Sequence, residues 1–306
     1  SCYAQVMKYI ITGVTGAIGF SLIQKLLEQN HEVTVLLNPN SSRNSHIENI
    51  LPKNVIYLNF SQYVSFKCKE KFDIFIHMAW KGGLDRLSYE TNYLSCAYSI
   101  EAVDLASRLG CTTFIATGSQ AECGVSKDIL NENTECNPTS AFGLAKYSAM
   151  NACKQRCKTL GLRFVWLRVL SVFGDHDRTS TMLYSLINNL LKGNRISLSS
   201  GNQYWDFLHS DDIANALILL SRNRKSEGLY VVGEGTHKKL KNYISIILDT
   251  FDINCNDILG KNDSIVTYNL RCQTTRLKDD IGWTPEISFE DGISRFIEYV
   301  KYNECE

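Results

Sequence analysis

Charge of one sign is missing from this chain. Its 32 Lys and Arg balance 32 Asp and Glu over 306 residues, leaving a formal net charge of zero, and its charged runs are short. A polyanion-binding surface needs clustered basic residues, so nucleic acid is not an expected partner. No apolar run reaches the about 18 residues that a membrane-crossing helix requires, so no membrane partner is expected either. The apolar stretch near the start is broken by glycines and is followed by no small-residue cleavage site; it reads as a buried strand rather than a secretion signal. Prolines number only four, and no stretch rich in Pro, Gly or Ser divides the chain. Repeats and low-complexity segments are absent.

A paired-cysteine motif is missing as well. The 11 cysteines include no Cys-x-x-Cys pair. Cys153 and Cys157 lie four apart in a helical pattern, which can offer two metal ligands, but no second His or Cys pair completes a set. No metal site is expected. The thiols read as free cysteines of a reducing compartment, so the expected localisation is cytoplasmic.

What is present is alternation. Strands are predicted at Lys8–Thr12, Glu32–Leu37, Val55–Leu58, Phe72–His77, Thr112–Thr117 and Arg163–Arg168, with the longest helical patterns at Leu87–Leu109 and Ser140–Leu160. Continuous apolar strands such as Ile74-Phe75-Ile76 indicate a sheet covered on both faces. The expected fold is α/β, a doubly wound parallel (Rossmann) sheet over residues 1–173, with ligands at the carboxyl ends of its strands. Residues 174–306 read as a smaller mixed α/β substrate-binding region that packs directly on the first, with chain crossings between the two. Its helices are predicted at Thr179–Leu191, Asp211–Ser221, Leu240–Asp252, Thr274–Ile281 and Phe289–Val300, and its short strands at Arg195–Leu198 and Leu229–Val232.

Between the first strand and the first helix lies Gly13-Val14-Thr15-Gly16-Ala17-Ile18-Gly19, with G-x-x-G-x-x-G spacing. Strand, glycine turn and helix in that order form a phosphate cradle: the backbone can approach a ligand closely and the helix N-terminus presents free N–H groups. A dinucleotide is the expected ligand. About 20 residues on, an acidic side chain would hydrogen-bond the adenosine ribose of NAD. That acid is missing here. The second strand instead runs into Asn38-Pro39-Asn40-Ser41-Ser42-Arg43, whose amides, hydroxyls and guanidinium suit a 2′-phosphate that a carboxylate would repel. NADP(H) is therefore expected over NAD(H).

Three further segments carry a resemblance: His77-Met78-Ala79, Thr117-Gly118-Ser119-Gln120-Ala121-Glu122-Cys123-Gly124, and Pro138-Thr139-Ser140-Ala141-Phe142-Gly143-Leu144-Ala145-Lys146. With the glycine run, and with Leu167–Gly174, Trp205–Asp212 and Ile281–Pro285 later on, the chain resembles the extended short-chain dehydrogenase/reductase family, the NAD-dependent epimerases and dehydratases, over nearly its whole length. Its pattern is most similar to bacterial nucleotide-sugar 4-keto reductases such as abequose synthase. The resemblance implies a nucleotide-diphosphate sugar as substrate and a homodimer built on the two long helices. It places cofactor contacts at Gly13, Thr15, Gly16, Ala17, Ile18, Gly19, Asn38, Ser41, Ser42, Arg43, Asn59, Met78, Ala79, Asn92, Thr117, Lys146 and Ser171.

The family's catalytic group is a Ser or Thr, a Tyr, and a Lys four residues after the Tyr. Carried over, Ser119 would bond the substrate's reacting oxygen. Lys146 would hold the nicotinamide ribose and lower a neighbouring phenol's pKa. The tyrosine position holds Phe142, which has no proton to exchange, and loss of general acid/base catalysis typically costs roughly 10²–10⁴-fold in rate. Three readings stay open: an engineered substitution, a natural variant with another donor, or a silent binding protein. Tyr147 is no stand-in, since five helical residues turn it about 140° away from Phe142.

The same comparison narrows the reaction. Dehydratases of the family carry an Asp-Glu pair after the catalytic Ser or Thr, whereas Gln120-Ala121 follows Ser119 here. Reduction of a 4-keto-6-deoxy sugar at C4 by NADPH is favoured over 4-epimerisation, with a silent sugar-nucleotide binder as the third reading. Substrate contacts are expected from Trp80, Gln120, Arg178, Thr181 and Tyr204, with Ser171, Arg195 and Arg271 as further candidates. His77 reads as the end of a buried strand. The spacing of His209 and Asp211 reads as a helix cap at Asp211 rather than a metal cluster.

Overall fold

The computed structural model describes residues 5–51, 54–81, 85–126, 128–261 and 268–303. The first half alternates as the apolar pattern predicts: β1 (Lys8–Thr12), α1 (Ala17–Glu28), β2 (Glu32–Leu37), α2 (Asn44–Ile50), β3 (Val55–Tyr57), β4 (Ile74–His77), α3 (Tyr89–Arg108), β5 (Thr113–Ser119), α4 (Ala141–Leu160) and β6 (Arg163–Val169). The second half adds β7 (Ser171–Phe173), α5 (Met182–Leu191), β8 (Tyr204–Trp205), β9 (Phe207–His209) and α6 (Ser210–Arg222). It continues with β10 (Gly228–Val232), β11 (Lys238–Lys239), α7 (Leu240–Thr250), α8 (Thr275–Ile281) and α9 (Phe289–Asn303).

Seven strands form one sheet in the order β10-β6-β5-β4-β1-β2-β3, and every pairing in it is parallel. This is the doubly wound sheet that the sequence predicts. Alternate side chains point to opposite faces, and both faces are apolar. Tyr9 and Ile11 join Leu22, Leu26 and Ile213 on one side; Ile10, Phe75, Phe114 and Trp166 join Ala102 and Val103 on the other. Accordingly α1 packs with α6 on one layer and α3 with α4 on the other. The winding direction reverses between β1 and β4, where Thr12 pairs with His77. A crevice at the carboxyl ends of these strands is the expected ligand site of such a sheet.

Strand β10 and helix α6 come from the second half of the chain yet complete the main sheet and its helical layer. A separate apolar cluster, built from Phe173, Phe207, Tyr243, Phe289 and Phe296, is enclosed by α5, α7 and α9. No strand forms over Arg195–Leu198: only Leu198 makes a bridge, to Leu259. Helix α5 begins at Met182 rather than Thr179, because the Arg178 carbonyl accepts the Thr181 N–H at 3.1 Å and its Oγ1–H at 3.0 Å, which closes a turn first. The cap of α6 is His209, not Asp211. The helix starts one residue earlier than predicted, so His209 Nδ1 accepts the Asp211 N–H at 3.1 Å, and Asp211 pairs with Arg295 at 3.0 Å instead.

The nine described cysteines are free thiols; Cys2 and Cys305 lie outside the described residues. Among the described residues, no helix is long and apolar enough to cross a membrane, and no three His, Cys, Asp or Glu side chains are grouped to hold a metal ion.

Candidate active site

The switch point is tied together by one threonine. Thr12 Oγ1 lies 2.8 Å from His77 Nδ1 and accepts the N–H groups of Met78 and Ala79, both at 3.2 Å. Next to it, Gly13 has φ +71°, and a Cβ there would sit 2.3 Å from the Ala79 nitrogen. Only glycine lets the turn after β1 lie against the end of β4. Gly19 does the same between α1 and the Val14 backbone, where a Cβ would come within 2.3 Å.

Gly16 behaves differently: a Cβ there would meet nothing within 4 Å. It is the N-cap of α1, which has no side-chain cap and no acidic residue in its first turn. Uncapped N–H groups facing open space suit an anion, so the chain's own residues fit a dinucleotide diphosphate at this point.

A cleft of about 750 Å³ runs from this turn to α4 and to the segment before α5. It brings together many of the sequence-predicted residues: Gly13, Thr15, Gly16, Ile18, Asn38, Ser41, Met78, Ala79 and Ser171 at the cofactor side, and Trp80, Phe142, Lys146, Arg178 and Thr181 beyond them. Wall residues that sequence reasoning missed include Asn44, Arg86, Asp177 and Trp205. Trp205 carries a legible signal: β8 alternates faces, and the residue of the pair on the cleft wall is Trp205 rather than the expected Tyr204. Tyr204 instead lies under the Arg271 guanidinium, 4.6 Å from its ring centroid.

Other predicted residues stand off the cleft wall. Ala17 and Gly19 are in the first turn of α1, behind Gly16. Asn92 is fully buried; its Oδ1 accepts the Trp80 Nε1–H at 2.8 Å and its Nδ2 donates to Asp85 and Ser88 carbonyls. Asn92 therefore fixes the Trp80 ring. Asn59 starts a short helical turn, its N–H held by Gln62 at 2.8 Å. Ser42 and Arg195 are exposed. Gln120 opens the short turn Gln120–Cys123. Arg43 reaches across to the segment after β7, where its Nη2 donates to the His176 carbonyl. Burial and the nearby Arg178 push its pKa down.

Phe142 and Lys146 line the cleft from α4, while Ser119 and Thr117, at the end of β5, stand behind its wall. Ser140 caps α4 by accepting the Gly143 N–H at 3.0 Å. A Cβ on Gly143 would lie 2.2 Å from the Ala121 carbonyl oxygen, so that glycine lets α4 approach the turn after Ser119. Ser119 Oγ accepts the Ala121 N–H at 3.2 Å, and its own N–H donates to Glu122 Oε1 at 2.7 Å. Lys146 Nζ donates to the Thr117 carbonyl at 3.0 Å and lies 4.2 Å above the Trp80 ring. Burial pushes its ammonium down to about 8, with Glu122 raising it and Arg86 lowering it further.

Phe142 is buried in this wall. The Trp80 ring meets it edge-on at 6.1 Å, and the Arg86 guanidinium stacks over its face with Cζ 4.6 Å from the centroid. The Phe142 N–H, in the first turn of α4, donates to the Arg86 carbonyl at 3.1 Å. The aromatic position is thus complete in packing and lacks only the hydroxyl.

The model of the NAD dependent epimerase/dehydratase family matches residues 9–233. A putative UDP-glucose 4-epimerase of Methanocaldococcus jannaschii is 25% identical over 313 residues, covering 96% of this chain and 98% of the relative. The CDP-abequose synthase of Salmonella muenchen is 21% identical, covering 95% and 97%. Among solved structures, the Bacillus cereus UDP-glucuronic acid 4-epimerase in complex with UDP-glucuronic acid and NAD shares the fold. Its TM-score is 0.82 at 18% identity, over 97% of this chain and all of that one. A family model spanning the switch point, the cleft and the main sheet leaves one conclusion: this chain belongs to the NAD-dependent epimerase/dehydratase family.

Proposed function

We propose that the protein reduces the C4 ketone of a nucleotide-linked 4-keto-6-deoxy sugar with NADPH. The observation that carries the reading is the cofactor end of the cleft. No carboxylate follows β2; the wall there is Asn38, Ser41 and Asn44, and the cation of Arg43 stands close behind, so a phosphate-bearing ribose meets hydroxyl, amide and positive charge. The cofactor supplies a hydride when bound. Gly13 and Gly16 admit its diphosphate, Lys146 takes the ribose, Ser119 bonds the sugar oxygen, and Trp80, Arg178 and Thr181 line the sugar-nucleotide side.

The carboxylate next to the catalytic serine supports reduction over dehydration. Glu122 is fully buried and paired with Arg168 at 2.6 Å, so it is not free to exchange protons with a sugar. The abequose synthase relative agrees with this reading. The similarity to a putative UDP-glucose 4-epimerase favours a second one, C4 epimerisation, which predicts tightly held NAD and no net redox change.

The test is NADPH oxidation by the native chain and by Phe142→Tyr, each given dTDP-, CDP-, GDP- and UDP-4-keto-6-deoxy sugars. Oxidation with one of the four is expected. No oxidation by either protein with any sugar overturns the reading, and interconversion of C4 epimers without oxidation selects the second. A Phe142→Tyr protein that binds cofactor and sugar nucleotide and turns over nothing is a silent binder.

A further inference from the structure

Phe142 leaves the cleft without the phenol, and the side chain lying across it is a cation. Arg86 stacks on the Phe142 ring and lines the same cleft as Trp80 and Lys146. No acidic side chain pairs with Arg86 among the described residues. The single carboxylate on the cleft wall, Asp177, is on the segment that leads into α5, beside Arg178. Arg86 is an exposed residue of the cleft wall, while partial burial of its guanidinium pushes its pKa down. It also lies close enough to Lys146 to lower that lysine's pKa. Arg86 has no carboxylate partner among the described residues, and the carboxylate nearest Lys146, Glu122, is already bound to Arg168, so the two cations form a wall suited to negative charge that arises on a substrate. Five fixed N–H donors on a planar group suit an oxygen better than a single mobile ammonium does.

We propose that Arg86 takes over part of the missing phenol's role, donating hydrogen bonds to the oxygen on the sugar's C4 carbon. This rests on the reductase reading above. A hydride bonds to C4 and the C=O π pair moves onto oxygen, the two electrons coming from the reduced nicotinamide dinucleotide. Arg86 holds the resulting oxyanion but keeps its own proton, since a guanidinium does not deprotonate in this range. The proton that neutralises the oxyanion comes from water, and the hydroxide left behind is taken up by buffer. Arg86 is thereby an electrostatic substitute for Phe142's absent hydroxyl and not a general acid.

Calorimetric titration of the NADP⁺-loaded protein tests the contact without turnover. The probes are dTDP-, CDP-, GDP- and UDP-6-deoxyhexoses and, for whichever binds, its 4-deoxy analogue. A hydrogen bond to a charged donor corresponds to roughly 10-fold or more in affinity. The native chain is expected to prefer the 4-hydroxy sugar by about that factor. Arg86→Met should bring the ratio to about one while still binding both, and Arg86→Lys should keep part of it. In turnover, Arg86→Met should cost about 100-fold in the native chain but under about 10-fold beside Phe142→Tyr, where a phenol again serves the oxygen. A purely structural Arg86 would cost the same in both backgrounds. Equal losses in both, equal weakening toward both sugars, or no native preference overturns the assignment and leaves the reductase reading intact. Failure of all four nucleotide sugars to bind overturns both.

Discussion

Glu122 and Arg168 form an ion pair in which both side chains have no exposure to solvent, with Arg168 Nε 2.6 Å from Glu122 Oε2. The other carboxylate oxygen accepts the Ser119 N–H at 2.7 Å and the Trp166 Nε1–H at 3.1 Å. The pair links the carboxyl end of β5 to β6. Removing one partner strands a buried charge, which costs about 3–5 kcal/mol. Glu122→Gln and Arg168→Met are each expected to lose that much in urea unfolding. The double change Glu122→Leu with Arg168→Met should lose less than the sum, because no buried charge remains. Additive losses would show that the two residues act independently.

His77 predicts a pH dependence. It is buried between Thr12 Oγ1 at 2.8 Å and Ser99 Oγ at 3.1 Å, and burial, aided by the charge of Lys146, pushes it down to about 3. Below about pH 6.5 the unfolded chain binds a proton on this ring that the folded chain refuses, so stability falls as pH falls. The slope approaches roughly 1.4 kcal/mol per pH unit from this group alone. Urea melts between about pH 7 and about pH 5 should show a steeper loss in the native chain than in His77→Gln. Equal slopes would mean that His77 takes up a proton in the folded state too.

Much of this was legible in the sequence, and for a local reason. Ile74-Phe75-Ile76 and Phe114-Ile115-Ala116 are apolar without alternation, so a twice-covered strand is their natural home, and Gly13 and Gly16 sit between a strand and a helix. What depended on distant partners was not legible. Strand β10 is short and weakly patterned, and its place beside β6 follows from pairing with residues 63 positions earlier in the chain. Glu122 reads as an ordinary turn acid until Arg168 arrives from β6. Arg86 lies in a connecting segment without periodicity, and only the fold puts it over Phe142. Asn92 is a buried amide whose role depends on Trp80, twelve residues back.

Gly13 and Gly16 separate fold from binding. Gly13→Ala places a Cβ 2.3 Å from backbone atoms at φ +71°, so loss of stability and of NADPH binding together is expected. Gly16→Ala meets open space, so its melting temperature should stay near that of the native chain. Its NADPH affinity should fall about 10-fold or more, because the methyl group keeps the diphosphate off the first-turn N–H groups. Fluorescence titration with NADPH alongside thermal melts checks both. Native-like binding by Gly16→Ala would remove this turn from the cofactor site.

Arg43 is expected to discriminate between the two nicotinamide cofactors. Its guanidinium spans from the loop after β2 to the His176 carbonyl, with donors left over for a 2′-phosphate. Arg43→Met is expected to weaken NADPH by about 10–100-fold, the range of one or two hydrogen bonds to a charged group. NADH affinity should change little. The NADH arm is the control for loosening of the two loops: a parallel loss of both cofactors would assign Arg43 to holding the His176 segment and not to reading the phosphate.

The outer face of the α3–α4 pair predicts the oligomeric state. Tyr89 and Tyr93 are 69% and 73% exposed on α3, and Leu144 is 45% exposed on α4. Large apolar groups gathered on two packed helices are costly to leave in water and mark an interaction surface. A homodimer in which each subunit contributes α3 and α4 would cover them. Sedimentation equilibrium should therefore return about twice the 34.6 kDa chain mass. Tyr93→Asp with Leu144→Asp puts two unpaired carboxylates at the contact and should give a monomer whose far-ultraviolet dichroism matches the native chain, since neither side chain belongs to the core. A native chain that sediments as a monomer at micromolar concentration, or a dimer that survives both substitutions, would move the interface away from these helices.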